Sequence, residues 1–152
     1  MSDLYEEDIV LWSERQGELL RRRAAGDLVN EAELDWPNIA EEIESMGRAE
    51  RDQLISRLAI LLAHLLLKWR FQADRRGNSW RLTILEQRRR SVRIVSRSPS
   101  LRPSLDDIVA EAYGDAVLIA ARETELAEDT FPPACPWTFG EAVLAEFPAE
   151  EP

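Results

Sequence analysis

One cysteine and one histidine in 152 residues exclude several kinds of chemistry at once. With Cys135 alone no intrachain disulfide can form, which suits a reducing compartment. The usual four-ligand zinc sites lack donors. A ferritin-like dimetal centre needs Glu-x-x-His pairs on two helices, yet the residue three before His64 is Leu61. Gly-rich phosphate loops, G-x-S-x-G and H-E-x-x-H are also missing, so the common nucleotide-binding and hydrolase arrangements find no support. No cofactor and no metal are expected. Long apolar runs are scarce as well. The stretch Leu58 to Leu67 is interrupted by His64 and flanked by Arg57 and Lys68, short of the roughly 18 residues of a spanning helix. It reads as a buried core helix, and no membrane is expected as a partner. The first residues, MSDLYEED, lack a basic start followed by an apolar stretch, so no signal peptide is expected and the cytoplasm is the default location.

What the chain does have is helical periodicity and segregated charge. Its 45% hydrophobic and 32% charged residues are those of a globular protein. A chain of this length is expected to form a single helical domain, residues 1–152, burying roughly 68 to 70% of its unfolded surface. Residues 1–44 hold 13 acids and 4 bases, residues 45–102 hold 4 acids and 14 bases, and residues 103–152 hold 12 acids and 1 base. The basic middle therefore lies between two acidic flanks. Lys68 is the sole lysine among 19 basic residues, a bias from which no function follows alone.

The periodicity predicts a first amphipathic helix over residues 4–24, capped by Ser2 or Asp3 and stopped at Gly26. DLVNEAELD (27–35) is a polar connector with room for a helical turn. Trp36 to Gln72 then reads as one long helix, capped by Asp35, with Pro37 tolerated in its first turn. Ile39, Ile43, Met46, Leu54, Leu58, Leu61, Leu65 and Trp69 keep its period through Gly47. At about 1.5 Å per residue it would be about 55 Å long, so a bend near Gly47 is open. After ADRRGNS (73–79), Ser79 is expected to cap a third helix from Trp80 to about Arg97, with an apolar edge of Trp80, Ile84, Val92 and Val95. Ser98 or Ser100 would cap a fourth, carrying Leu101 to Ile119 and fading near Glu125. The prolines of FPPACPW impose an extended crossing, and Thr138 with Glu141 makes a capping box for a short last helix over about 139–146. No strand pattern is present. The expected fold is all-α: a bundle of four main helices with a long central helix and a short C-terminal one. The second and third form a hairpin, the first and fourth lie across it, and the five tryptophans sit in the core or at its rim.

AEEIESMGRAER, LLAHLLLKWRFQ, SWRLTILEQRR, SPSLRP and CPWTF, in that order, resemble the bacterial "domain of unknown function 29" family over about Leu4 to Phe147. The resemblance implies an all-helical domain and no assigned activity. The polar positions it matches are Glu41, Glu42, Glu44, His64, Lys68, Trp80, Arg81 and Arg88.

Three candidate sites follow from the residues. On a helical wheel Glu50, Gln53, Arg57, His64 and Lys68 fall within about 60° of one line, a polar stripe on an apolar helix. There His64 could act as general base or ligand, or sit in an internal hydrogen-bonded seam. A hairpin folded about residue 76 would bring His64 near Arg88 and Lys68 near Ile84. Glu41, Glu42 and Glu44 could offer oxygen ligands to magnesium or calcium, or simply favour the helix dipole. Arg81, Arg88, Arg89, Arg93 and Arg97 could bind an anion, since residues 89, 93 and 97 recur every four positions, or could pair with acids inside the bundle. Cys135 in PPACPWT reads as a packed turn rather than a nucleophile. With strong structural patterning and no complete catalytic set, the leading expectation is a non-enzymatic interaction or scaffold domain whose partner is protein, including a second copy of itself. Binding of nucleic acid or another anionic partner through the third helix is the alternative. An enzyme or ion-binding protein built on His64 and the acids from Glu41 to Glu50 is the third.

Overall fold

A computed structural model describes the backbone of residues 3–71 and 77–144, with the side chains of residues 3–67 and 79–143. Its helices are α1 (Leu4–Glu7), α2 (Ile9–Ala24), α3 (Trp36–Phe71), α4 (Gly77–Arg97), α5 (Leu105–Thr124) and α6 (Phe139–Leu144). No strand occurs among the described residues, so the fold is all-α, with four long helices and a short last one. No helix among them is long and apolar enough to cross a membrane. Gly47 does not interrupt α3. Residues 1–48 and 49–152 form two compact units, and α3 contributes to both.

In the first unit, the single helix read over residues 4–24 is broken at Asp8 (φ −154°, ψ 89°). The Asp8 carboxylate accepts the Leu11 N–H at 3.0 Å and caps α2. A short acceptor beside orphan N–H groups competes with the helix for them, and here it wins. Ser2 lies outside the described residues, and Asp3 precedes α1 without a side-chain bond. Gly26 ends α2 with φ +91°, a left-handed turn that glycine adopts without steric cost. The connector is held by one buried amide. Gln16 Nε2 donates to the Glu33 carbonyl (3.0 Å), while its Oε1 accepts the Asp35 N–H (2.9 Å). Within the connector Glu31–Glu33 forms one 3₁₀ turn, and Asn30 caps it through the Ala32 N–H.

Asp35 precedes α3 as expected, but its carboxylate takes the Asn38 side-chain amide (2.8 Å) and the Trp12 indole N–H (2.9 Å). These bonds, the one from Asn38 foremost, hold its carboxyl below the usual carboxylate range. Trp12 is thereby seated on Leu34 and Ile39, edge-on to Tyr5 at 4.9 Å between ring centroids. Ile43 and Met46 keep the apolar period yet are exposed.

In the second unit, α3 and α4 run antiparallel. Arg97 bonds Glu50, and the rings of His64 and Trp80 meet edge-to-face at 5.8 Å. That register puts His64 opposite Trp80, not Arg88, and α4 begins at Gly77, ahead of the Trp80 start read from the sequence. Ser79 lies inside α4, where its carbonyl accepts the Thr83 hydroxyl, so it is not the cap read from the sequence. Leu54, Leu58, Leu61, Leu62 and Leu66 of α3 have no solvent exposure. Against them α5 presents Ala112, Ala116 and Ala120, also fully buried; small side chains every four residues let helix axes approach closely.

The segment read as the start of the fourth helix is a 3₁₀ stretch, Pro99–Ser104, and α5 begins only at Leu105. Pro103 lacks the N–H that an i to i−4 ladder needs, so the chain tightens instead. Neither Ser98 nor Ser104 makes a side-chain cap bond; Ser98 supplies its carbonyl to Leu101. The Thr138–Glu141 capping box forms in both directions, at 3.4 and 3.2 Å. Glu146 and the side chain of Trp69 lie outside the described residues. Of the other tryptophans, Trp12 and Trp80 are buried and Trp137 half-buried. Trp36 is exposed, with the Arg23 guanidinium 5.6 Å from its ring centroid, and Arg23 pairs with Glu31.

Both tyrosines of the chain are hydrogen-bonded to oxygen: Tyr5 to Glu42 at 2.6 Å, Tyr113 to the Pro132 carbonyl at 2.6 Å. The Glu42 acceptor pushes Tyr5 up to about 12, and burial does the same for Tyr113. A phenol whose folded pKa is raised adds stability that is complete below its ordinary pKa of about 10 and is lost as pH rises through about 12. Tyrosinate absorbance should therefore stay flat through pH 10 and rise near pH 12, together with loss of helix. A spectrophotometric titration with a midpoint at pH 10 would contradict the Tyr5–Glu42 hydrogen bond and the burial of Tyr113.

Candidate functional site

Two of the polar sets read separately from the sequence converge on one groove of the second unit. Antiparallel register places Gln53 and Arg57 of α3 beside Arg89, Arg93 and Arg97 of α4, lining an open groove of about 700 Å³. Along α4 the lining positions 82, 85, 86, 89, 90, 93, 94 and 97 follow steps of three and four, so they form one continuous stripe. Over fifteen residue steps this stripe is about 22 Å long.

Its charge is uneven. Arg97 is engaged with both carboxylate oxygens of Glu50 at 3.1 Å, and Arg90 with Glu86, four residues before it, at 2.8 Å. Arg57, Arg89 and Arg93 meet no carboxylate among the described residues. Glu86 is the only acid lining the groove among the described residues, and it is already paired. At the end nearer the start of α4 the wall becomes apolar: Leu82 is 51% exposed and Leu85 37%. Ile94, 5% exposed, belongs to the floor.

The remaining candidates are elsewhere. His64 is half-buried; its Nδ1 lies 2.8 Å from the Ile60 carbonyl and therefore carries the proton, and its ring packs on Trp80. It does not line the groove, and the side chain of Lys68 lies outside the described residues. Arg88 turns inward. It is 8% exposed, its Nε donates to the Ala142 carbonyl of α6 at 2.8 Å, and desolvation lowers its pKa. Arg81 is exposed and outside the groove lining.

In the first unit the three glutamates are engaged with cations and a phenol. Arg48 reaches Glu41 at 2.6 Å and Glu44 at 3.9 Å, and Glu42 accepts from Tyr5. Among the described residues no group of three or more His, Cys, Asp and Glu side chains could hold a metal ion. The Cys135 thiol donates to the Trp137 carbonyl at 3.2 Å, and burial pushes its pKa up, away from the reactive thiolate.

The sequence reading missed Leu82, Leu85 and Glu86 as parts of this site. The signal was present: α4 carries a second period, offset from the buried one, that ends in the arginines. Buried on α4 are Trp80, Ile84, Gln87, Arg88, Ser91, Ile94 and Val95, three of them polar. Val92, expected on the apolar edge, is 38% exposed, because Ser91 and Val95 rather than Val92 continue that face.

A family model described as a domain of unknown function, DUF29, matches residues 4–147. Neither a curated protein nor a solved structure matches the chain.

Proposed function

For a chain that belongs to the DUF29 family of domains of unknown function, we propose a non-enzymatic role: an interaction domain that receives an acidic protein partner in the groove between α3 and α4. The observation that carries this reading is the convergence of Arg57, Arg89 and Arg93 on one open groove with no carboxylate to neutralise them among the described residues. Like charges held together repel one another. They persist without cost to the fold only where solvent, or a bound anion, screens them. The side chains that could carry chemistry support the same reading, since His64 is committed to a backbone carbonyl and a ring contact and Cys135 is held as the thiol.

Nucleic acid is the second reading, favoured by arginines recurring at 89, 93 and 97 along one helix. The chain's net charge of −10 and the apolar end of the groove weigh against a long polyanion.

The test is fluorescence anisotropy with a labelled poly-glutamate peptide at low salt. Binding should weaken as salt rises, and Arg57→Glu/Arg89→Glu/Arg93→Glu should reduce affinity more than about a hundredfold, three charges each shifting by two units. Arg89 and Arg93 are exposed and Arg57 is half-buried, so the fall in thermal midpoint should be small beside the loss of binding. Absence of binding by the parent protein, or equal binding by the triple variant, overturns the proposal.

A further inference from the structure

The groove is two-ended, and that gives its occupant a shape. The rows at 89, 93 and 97 on α4 and at 53 and 57 on α3 advance four residues at a time, one helical turn. A third helix laid in the groove keeps step with both walls, so carboxylates spaced four apart on it meet Arg93 and Arg89 in turn, with Arg57 closing from the other side. Continuing toward the start of α4, the next turns of such a helix leave the arginines and reach Leu82 and Leu85. These are large apolar side chains, 51% and 37% exposed, and carboxylates placed there would be desolvated with no arginine of the groove lining beside them. An acidic first half suits a helix N-terminus, where the dipole favours negative charge. The occupant therefore runs antiparallel to α4.

Resting on the interaction-domain reading, we propose that the α3/α4 groove binds an amphipathic helix about 15 residues long, acidic in its N-terminal turns and carrying a pair of leucine-like residues in its C-terminal turns. Charge complementarity selects the first half and the exposed Leu82–Leu85 end selects the second. A nucleic acid strand offers phosphodiesters to the arginines, but its apolar base faces are spread along its length and not gathered at one end.

The test uses the full chain and four labelled probes: a peptide of this pattern, the same peptide with its two leucines replaced by serine, the poly-glutamate peptide, and a single-stranded oligonucleotide of equal charge. The patterned peptide should bind and gain helicity by circular dichroism. Its serine version should bind about tenfold more weakly, as should the patterned peptide to Leu82→Ser/Leu85→Ser, since two partly covered leucines are at stake. The leucine substitutions should cost poly-glutamate binding less than they cost binding of the patterned peptide. If poly-glutamate binds and the patterned peptide binds no better, the two-ended groove is wrong while the acidic-partner reading stands. Tighter binding of the oligonucleotide than of the peptide, or peptide binding without gain of helix, also overturns it. If none of the probes binds, both readings fall.

Discussion

Leu58→Ala lowers the unfolding free energy by about 3 kcal/mol, within the range of roughly 2 to 5 kcal/mol for a leucine truncated in a close-packed core. Leu58 is fully buried in α3, within a cluster that includes Leu54, Leu61, Leu62 and Ile84. Alanine is the better helix former, so α3 itself gains slightly and the loss is entirely one of packing. Three carbons, one methine and two methyls, leave a site that the flanking helices fill only in part. Urea unfolding followed by helicity should show the midpoint fall with an unchanged slope. Leu82→Ala, at an exposed position of the groove, is the control and should cost well under about 1 kcal/mol. A loss at Leu58 no greater than at Leu82 would mean that α3 is not the centre of the second unit's core.

The second large effect is expected at Arg88. Arg88→Ala should cost about 2 to 4 kcal/mol, although arginine is ordinarily a surface residue, because three losses coincide. The hydrogen bond from Nε to the Ala142 carbonyl disappears. That carbonyl, on a fully buried residue, is left without its donor. The aliphatic stem no longer fills its place between α4 and α6. Arg88→Met keeps most of the stem and should recover part of the loss, separating packing from hydrogen bonding. The effect should be local first: amide exchange in α6 should accelerate in Arg88→Ala before exchange in α3 changes. Arg89→Ala, one residue away but exposed, should stay within about 0.5 kcal/mol of the parent. If the two arginines cost the same, Arg88 does not tie α6 to α4.

That contrast between adjacent arginines marks how far the sequence could be read. Four long helices, the central position of Leu54 to Leu67, the stop at Gly26 and the Thr138–Glu141 box all followed from local rules: period, cap and turn chemistry act within a few residues. The errors were local too. Asp8 outcompeted the ladder inside a periodic stretch, and Pro103 converted the expected start of a helix into a 3₁₀ segment. The site was legible in halves. Glu50, Gln53 and Arg57 on one helix and Arg89, Arg93 and Arg97 on another were each visible as stripes, but a stripe carries no information about the partner that faces it.

The chain alone determined that it is all-α, that its basic residues concentrate between acidic flanks, and that Leu58 to Leu67 is its longest nearly unbroken apolar run, since composition and periodicity are properties of the covalent order. Tertiary structure decided the rest: which arginine is buried and which faces a groove, that Glu50 neutralises Arg97 but nothing described neutralises Arg93, and that His64 meets Trp80 instead of Arg88. The reason is register. A shift of one residue between two antiparallel helices rotates each contact by about 100°, and only packing across the whole hairpin fixes that shift.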